Sequence, residues 1–141
     1  MLLQVTRVDK SLPLPEYATP GACAFDLLAR EKTSVPPRGL AFVPANLIVR
    51  VPEGHVLMLC SRSSTPKKKG LLTPHGLGVI DQDYRGPEDE LKVQVYNFTD
   101  AEVSVERGER VAQAMVIPCP HLEFEEVEAD GESRGGFGTT G

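Results

Sequence analysis

Three stretches of this chain carry side chains whose types and spacing could do chemistry. The first is Gly78-Val79-Ile80-Asp81-Gln82-Asp83-Tyr84-Arg85-Gly86, in which two carboxylates, an aromatic ring and a guanidinium follow one another closely. A carboxylate in such a place could act as a base toward a water molecule, with the ring and the cation flanking a ligand. The plain alternative is a solvated turn. The second stretch is Arg62-Ser63-Ser64-Thr65-Pro66. Ser64 or Thr65 suits an N-cap and Pro66 the first helical position, so a short helix should start here and end at Gly70. An arginine and hydroxyls at a helix start suit phosphate about as well as they suit a capped surface turn with solvated lysines. The third is the terminal Arg134-Gly135-Gly136-Phe137-Gly138-Thr139-Thr140-Gly141. Glycines around one aromatic cannot hold a fold, because the backbone entropy they lose is too large. Such a tail is either a disordered end or an arm that orders over a ligand.

Two isolated polar residues add to these. Asp26 is the lone acid of Gly21-Ala22-Cys23-Ala24-Phe25-Asp26-Leu27-Leu28-Ala29. It is either a carboxylate satisfied by backbone donors at a strand edge or a ligand of a metal or of metal-bound water. Gln113 interrupts the apolar run Arg110 to Ile117 and must find partners or face a site. No Ser-His-acid or Cys-His grouping is evident, which argues against a covalent route. The glycine-rich tail lacks the lysine of a Walker loop. His55, beside a turn, reads as a surface residue.

Composition narrows the function classes. A chain of 141 residues with 40% apolar and 25% charged side chains reads as one globular domain. No apolar run approaches the ~20 residues of a bilayer span, and Met1 to Gln4 is too short for a signal peptide, so a cytoplasmic protein is expected. The net charge of -5 argues against nonspecific nucleic-acid binding. A polyanionic ligand would need a metal ion or a few placed cations. Cys23, Cys60 and Cys119 lack metal-ligand spacing and are expected to be buried reduced thiols.

The elements that must position these groups are short strands. Alternation or apolar runs mark residues 2–9, 21–29, 41–44, 47–51, 55–60, 91–96, 103–105 and 110–117, with turns at Pro36 to Gly39, Pro52 to Gly54 and Arg107 to Glu109. Residues 71–76 read as a connector. Val79 and Ile80 read as a strand entering a core. Asp81 to Asp83 read as a tight reversal, after which Tyr84 resumes the strand with its ring at a hairpin mouth. The acidic run from Glu123 to Glu132 reads as a solvated strand edge and linker. The expected fold is all-β, a jelly-roll-like barrel or sandwich with one short helix.

Five stretches taken together resemble the trimeric deoxyuridine triphosphate nucleotidohydrolases (dUTPases): Gly21 to Leu27, Arg62-Ser63-Ser64, Gly78 to Gly86, Gly108-Glu109-Arg110-Val111-Ala112-Gln113, and Gly135 to Gly141. They occur in the family's order and span nearly the whole chain. The resemblance implies a jelly-roll core over residues 1–125, a flexible arm over 126–141, and a homotrimer with active sites shared between chains. It implies Mg²⁺-assisted hydrolysis of dUTP to dUMP and pyrophosphate, with water attacking the α-phosphorus. By the same resemblance Asp81 orients and deprotonates that water, and Tyr84 leaves no room for a ribose 2′-hydroxyl. His75, Val79 and Ile80 belong to the segment that meets the uracil edge, with Lys92 a further candidate. Arg62, Ser63, Ser64 and Gln113 match phosphate-contacting positions. Asp26 matches the acid that holds water on the metal. Phe137, followed by Gly138 and Thr139, matches the arm that closes over the base.

The chain departs from the family's pattern in three places. Glu132 stands where the arm usually has arginine, and Arg134 is the nearby candidate for the γ-phosphate. Pro87-Glu88-Asp89-Glu90 lengthens the loop after Gly86. Cys60-Ser61 replaces a small residue and proline. The rival within the superfamily is a dCTP deaminase, but Lys92-Val93-Gln94-Val95 lacks the glutamate expected there. A non-catalytic nucleotide-binding regulator is the alternative from another class.

Overall fold

The structure, a computed structural model, describes residues 1–138. The strands are β1 (Gln4–Arg7), β2 (Phe25–Leu28), β3 (Thr33–Val35), β4 (Leu40–Pro44), β5 (Leu47–Arg50), β6 (His55–Cys60), β7 (Leu71–Leu72), β8 (Gly78–Ile80), β9 (Lys92–Asn97), β10 (Val103–Val105) and β11 (Arg110–Pro118). The helix, α1 (Thr65–Lys69), lies between β6 and β7. The pairings are antiparallel. One sheet has the order β2-β11-β6-β8 and a second the order β4-β9-β7, with two smaller pairs, β1-β5 and β10-β3. The all-β, jelly-roll-like expectation holds.

The period-two pattern has a direct packing consequence. In β9 the side chains of Val93 and Val95 are buried while Lys92 is exposed. They join Leu27, Val43, Val49, Leu57, Val105 and Ala114 in one apolar core. Helix α1 ends where the sequence says it should. Gly70 takes the left-handed conformation (φ 67°) and its N–H bonds to the carbonyl of Pro66. A side chain there would run into Thr99, so glycine is needed for space as well as for φ. Ser64 sits at the N-cap position with helical dihedrals (φ −87°, ψ −17°), and its side chain makes no cap bond. A capping hydroxyl needs the extended N-cap conformation, so the expected cap is absent.

Several local expectations are corrected. The strand does not resume at Tyr84: residues 81–91 are irregular, and β8 pairs with β6 while β9 pairs with β4 and β7. The expected hairpin is therefore a connection between two sheets. Val79 is 59% exposed rather than in the core. The short strands β3 and β7 are additional, β3 paired with the equally short β10 and β7 with the longer β9. Cys23 and Cys119 are exposed and Cys60 is half-buried, all with free thiols, so none is a core thiol. Among the described residues, regular structure ends at Pro118. The acidic run beyond it is not a strand edge: it has no sheet partner among the described residues, and its charges are all exposed.

Candidate functional site

The phosphate-suited residues come together on one sheet. On β11, Arg110 lies opposite Leu28 and Ala112 opposite Leu27, so Val111 is the extra residue of a β-bulge. Residues three apart on an unbroken strand face opposite sides. The bulge removes that difference. It places Gln113 opposite Asp26, on the face that Arg110 shares with Leu28. Gln113 also lies opposite Cys60 on β6, and its amide Nε2 donates to the carbonyl of Ser61 at 3.1 Å. The polar side chain inside the apolar strand thus has its partner.

Asp26 is held by two guanidinium groups. Arg62 Nε donates to Oδ1 at 2.7 Å, and Arg110 Nε stands 3.5 Å from Oδ2. The carboxylate is only 18% exposed. Its side-chain partners are cations, not the backbone donors offered as the plain alternative. Arg110 was not singled out by sequence reasoning; its only signal was its place in the Gly108 to Gln113 stretch. Ser61, which departs from the family's proline, bonds Thr73 through paired hydroxyls at 2.8 Å and accepts from the Thr73 N–H at 3.0 Å. Ser63 is exposed and Ser64 half-buried at the start of α1, directly after Arg62.

A second region lies between β6, β8 and β9. A cavity of about 300 Å³ is lined by His75, Gly78, Val79, Ile80, Lys92 and Thr73, among others. The residues expected to meet a base edge therefore share one cavity. Gly78 lies opposite Leu59, and a side chain on it would press on the Leu59 Cβ at 3.1 Å. Asp81 follows β8 directly and is exposed. Gln82 Nε2 reaches the carbonyl of His55 at 3.3 Å, which fixes this turn to the start of β6. Tyr84 is 36% exposed, and its hydroxyl donates to the carbonyl of Glu90 at 3.1 Å.

The two regions adjoin at Cys60, which lines the cavity and lies opposite Gln113, but Asp81 and Arg62 stand apart. Ile80 faces Leu57 and Gln82 bonds His55, so Asp81 stands near Val56 at the start of β6. Arg62 follows the other end of that strand. Six residues of extended chain separate them by roughly 20 Å. In the C-terminal segment Phe137 is fully exposed, Arg134 and Gly138 are exposed, and Thr139 lies outside the described residues.

Among the described residues no three His, Cys, Asp or Glu side chains converge to hold a metal. Mg²⁺ retains several waters and takes its remaining ligands from one or two carboxylates and substrate phosphates. Asp26 fits that requirement as an acceptor from metal-bound water. Its two oxygens offer about four lone-pair positions, of which the bond from Arg62 occupies one.

A family model described as dUTPase matches residues 10–141. The chain belongs to the dUTPase family. It is 38% identical over 136 residues to the deoxyuridine 5′-triphosphate nucleotidohydrolase of Lactococcus lactis, covering 94% of this chain and 91% of that one. The Hydrogenobaculum enzyme of the same description is 38% identical over 147 aligned positions, covering 100% and 99%. Among solved structures, the dUTPase of Streptococcus mutans matches with a TM-score of 0.79 at 34% identity, over 86% of this chain and 98% of that one. The dUTPase of phage 80alpha bound to dUPNHPP matches at 24% identity with a TM-score of 0.86, over 99% and 98%, and so shares the fold. Another dUTPase structure, from phage phi11, is described as coordinating a structural Mg(II) ion.

Proposed function

We propose that this chain is a dUTP diphosphatase that hydrolyses dUTP to dUMP and pyrophosphate as a homotrimer with shared active sites. The supporting observation is the roughly 20 Å along β6 between Asp81 and Arg62. No single triphosphate bridges that span from its α-phosphorus. A chain that presents both groups at opposite ends of one strand uses them in two different sites. Each site then takes the cavity, Asp81 and Tyr84 from one subunit and the row Asp26, Arg62, Ser63, Ser64, Gln113 from a neighbour. Arg134, Phe137, Gly138 and Thr139 come from an arm over residues 126–141. Closed cyclic symmetry makes this arrangement self-consistent, because each subunit offers its cavity side to one neighbour and its row to the other.

The roles follow from the groups. The cavity at β8 receives the uracil, with the backbone of His75 to Ile80 offered to its polar edge and Lys92 at the rim. The ring of Tyr84 packs under the deoxyribose, where a 2′-hydroxyl would collide with it. Asp81 accepts a proton from the water that attacks the α-phosphorus. Arg62, the two serine hydroxyls and the Gln113 amide bind phosphoryl oxygens, where fixed donors act on the charge that builds in the transition state. Mg²⁺, when bound, would neutralise triphosphate charge and polarise the reacting phosphoryl group. Asp26 holds its water shell against the arginines. Phe137 covers the base and excludes bulk water, and Arg134 meets the terminal phosphate. The three free thiols suit a reducing compartment, and a cytoplasmic location is part of the proposal.

The experiment is a product assay on purified protein with dUTP, dCTP, dTTP and UTP, with and without Mg²⁺. Pyrophosphate from dUTP alone, dependent on Mg²⁺, is the expected result. Ammonia from dCTP would replace the reading with a deaminase, and tight dUTP binding without product would replace it with a regulator.

A further inference from the structure

Loop 81–91 has no regular structure, yet it carries the ring on which sugar selection depends in the function proposed above. A phenol attached to an irregular and partly exposed segment is free to swing unless its hydroxyl is held. In this chain it is held at the carbonyl of Glu90, at 3.1 Å. The position of that carbonyl is in turn determined by the Glu90 side chain. Arg30 grips the carboxylate with two donors, Nε to Oε1 at 2.8 Å and Nη2 to Oε2 at 3.1 Å. The N–H of Asn46 adds a third bond to Oε1 at 2.9 Å. The carboxylate is only 12% exposed. The bond to Glu90 raises the Arg30 pKa above the ordinary guanidinium value.

The next residue closes the strut. The N–H of Leu91 donates to the Leu47 carbonyl, and its own carbonyl accepts from Ala45, each at 2.8 Å. On the other side, Gly86 and Asp89 bond one another twice, so the segment between Tyr84 and Glu90 is a braced turn. The lengthened Pro87-Glu88-Asp89-Glu90 loop therefore supplies an acceptor for the ring and ties that acceptor to the core.

We propose that Glu90, held by Arg30, is a positioning residue that sets the ring of Tyr84 and thereby the selection of deoxyribose over ribose. The proposal rests on the dUTP reading above. Arg30 reaches the substrate only through Glu90, and Glu90 only through Tyr84. Arg30 is placed between β2 and β3 and Asn46 between β4 and β5, so the selecting ring is referred to the rigid sandwich rather than to its own loop.

The test compares Tyr84→Ala, Tyr84→Phe, Glu90→Gln, Arg30→Lys and the double variant Tyr84→Phe/Glu90→Gln. The readout is the ratio of kcat/KM for dUTP to that for UTP, with the inhibition constant of UTP as a second measure and thermal melting alongside. Tyr84→Phe keeps the ring and removes only the donor, so it leaves the fold intact. Tyr84→Phe and Glu90→Gln should each lower the ratio by about 3–10-fold, the effect of one hydrogen bond, mainly by admitting UTP better. Arg30→Lys should do the same, because lysine lacks the two-pronged grip. The double variant should be no less selective than Tyr84→Phe alone, since Glu90→Gln acts through the bond that Tyr84→Phe already removes. If Tyr84→Ala leaves the ratio unchanged, the role given to Tyr84 under the proposed function is wrong. If Tyr84→Ala changes it and both Tyr84→Phe and Glu90→Gln do not, the positioning role is wrong. Equal losses for both nucleotides with a lowered melting temperature would make Glu90 a structural residue only and overturn the proposal.

Discussion

The bulged row and the β8 cavity are built on the same strand by opposite means. The row on β2, β11 and β6 is set by ladder register: Asp26, Gln113 and Cys60 lie directly opposite one another, and one bulge turns Arg110 to the same side. The cavity side, from Thr73 to the start of β9, has one short run of regular pairing, β8 on β6, and depends on single side-chain bonds such as Gln82 to His55 and Tyr84 to Glu90. The difference teaches where each half tolerates change. A sheet row is displaced only by breaking many backbone bonds together, whereas a loop group is displaced by losing one.

The sharpest way to break this contrast is Asp81→Asn. The amide keeps the size and cannot accept the proton, so turnover should fall by ~10²–10⁴-fold while dUTP still binds. Steady-state rates beside equilibrium binding check it; near-normal turnover would remove Asp81 from the mechanism. A related experiment asks whether the halves belong to different subunits. Asp81→Asn and Arg62→Ala chains, each inactive alone, should regain part of the activity when refolded as a mixture. If one chain supplied both groups to the same site, every mixed site would remain defective and nothing would return.

Removing residues 134–141 should come next in size. The described part of the tail contributes no buried side chain, so melting should be unchanged while turnover drops severely. Full activity in the truncation would leave the tail without a role. Gly70→Ala addresses the sheet-borne half through its helix. It strains a left-handed residue and crowds Thr99, which should cost about 1–3 kcal/mol of stability. Thermal melting measures it, with the substrate ratio unaffected.

The smallest effect is expected at the periphery, where Asp9 accepts from Arg107 at 2.7 Å and from the Ser11 hydroxyl. These bonds hold the Asp9 carboxyl well below the usual carboxylate range, the Arg107 bond contributing most. A depressed folded-state pKa gives stability that is present above the unfolded value and lost as pH falls through the folded one. Asp9→Asn should therefore lower melting slightly at neutral pH, and the gap to the parent should close in strong acid. A gap that widened in acid would reverse the assignment.

Much of this was legible along the chain. Period-two alternation marked β9, and the dense apolar run marked β11. Pro66 and Gly70 bracketed the helix, and the five family-like stretches pointed to a nucleotide site. These signals are local: side-chain period, φ preference and short motifs act over a few residues and need no partner. The pairing of β8 with β6 rather than with β9 was not legible, and neither was the bulge at Val111, the arginine pair on Asp26 or the Arg30–Glu90–Tyr84 strut. Each depends on segments tens of residues apart meeting in a common core, such as Asp26 with Arg62 or Arg30 with Glu90. Polar side chains gain from such bonds only once burial has placed them together, so the pattern of one segment cannot specify the partner that another will supply.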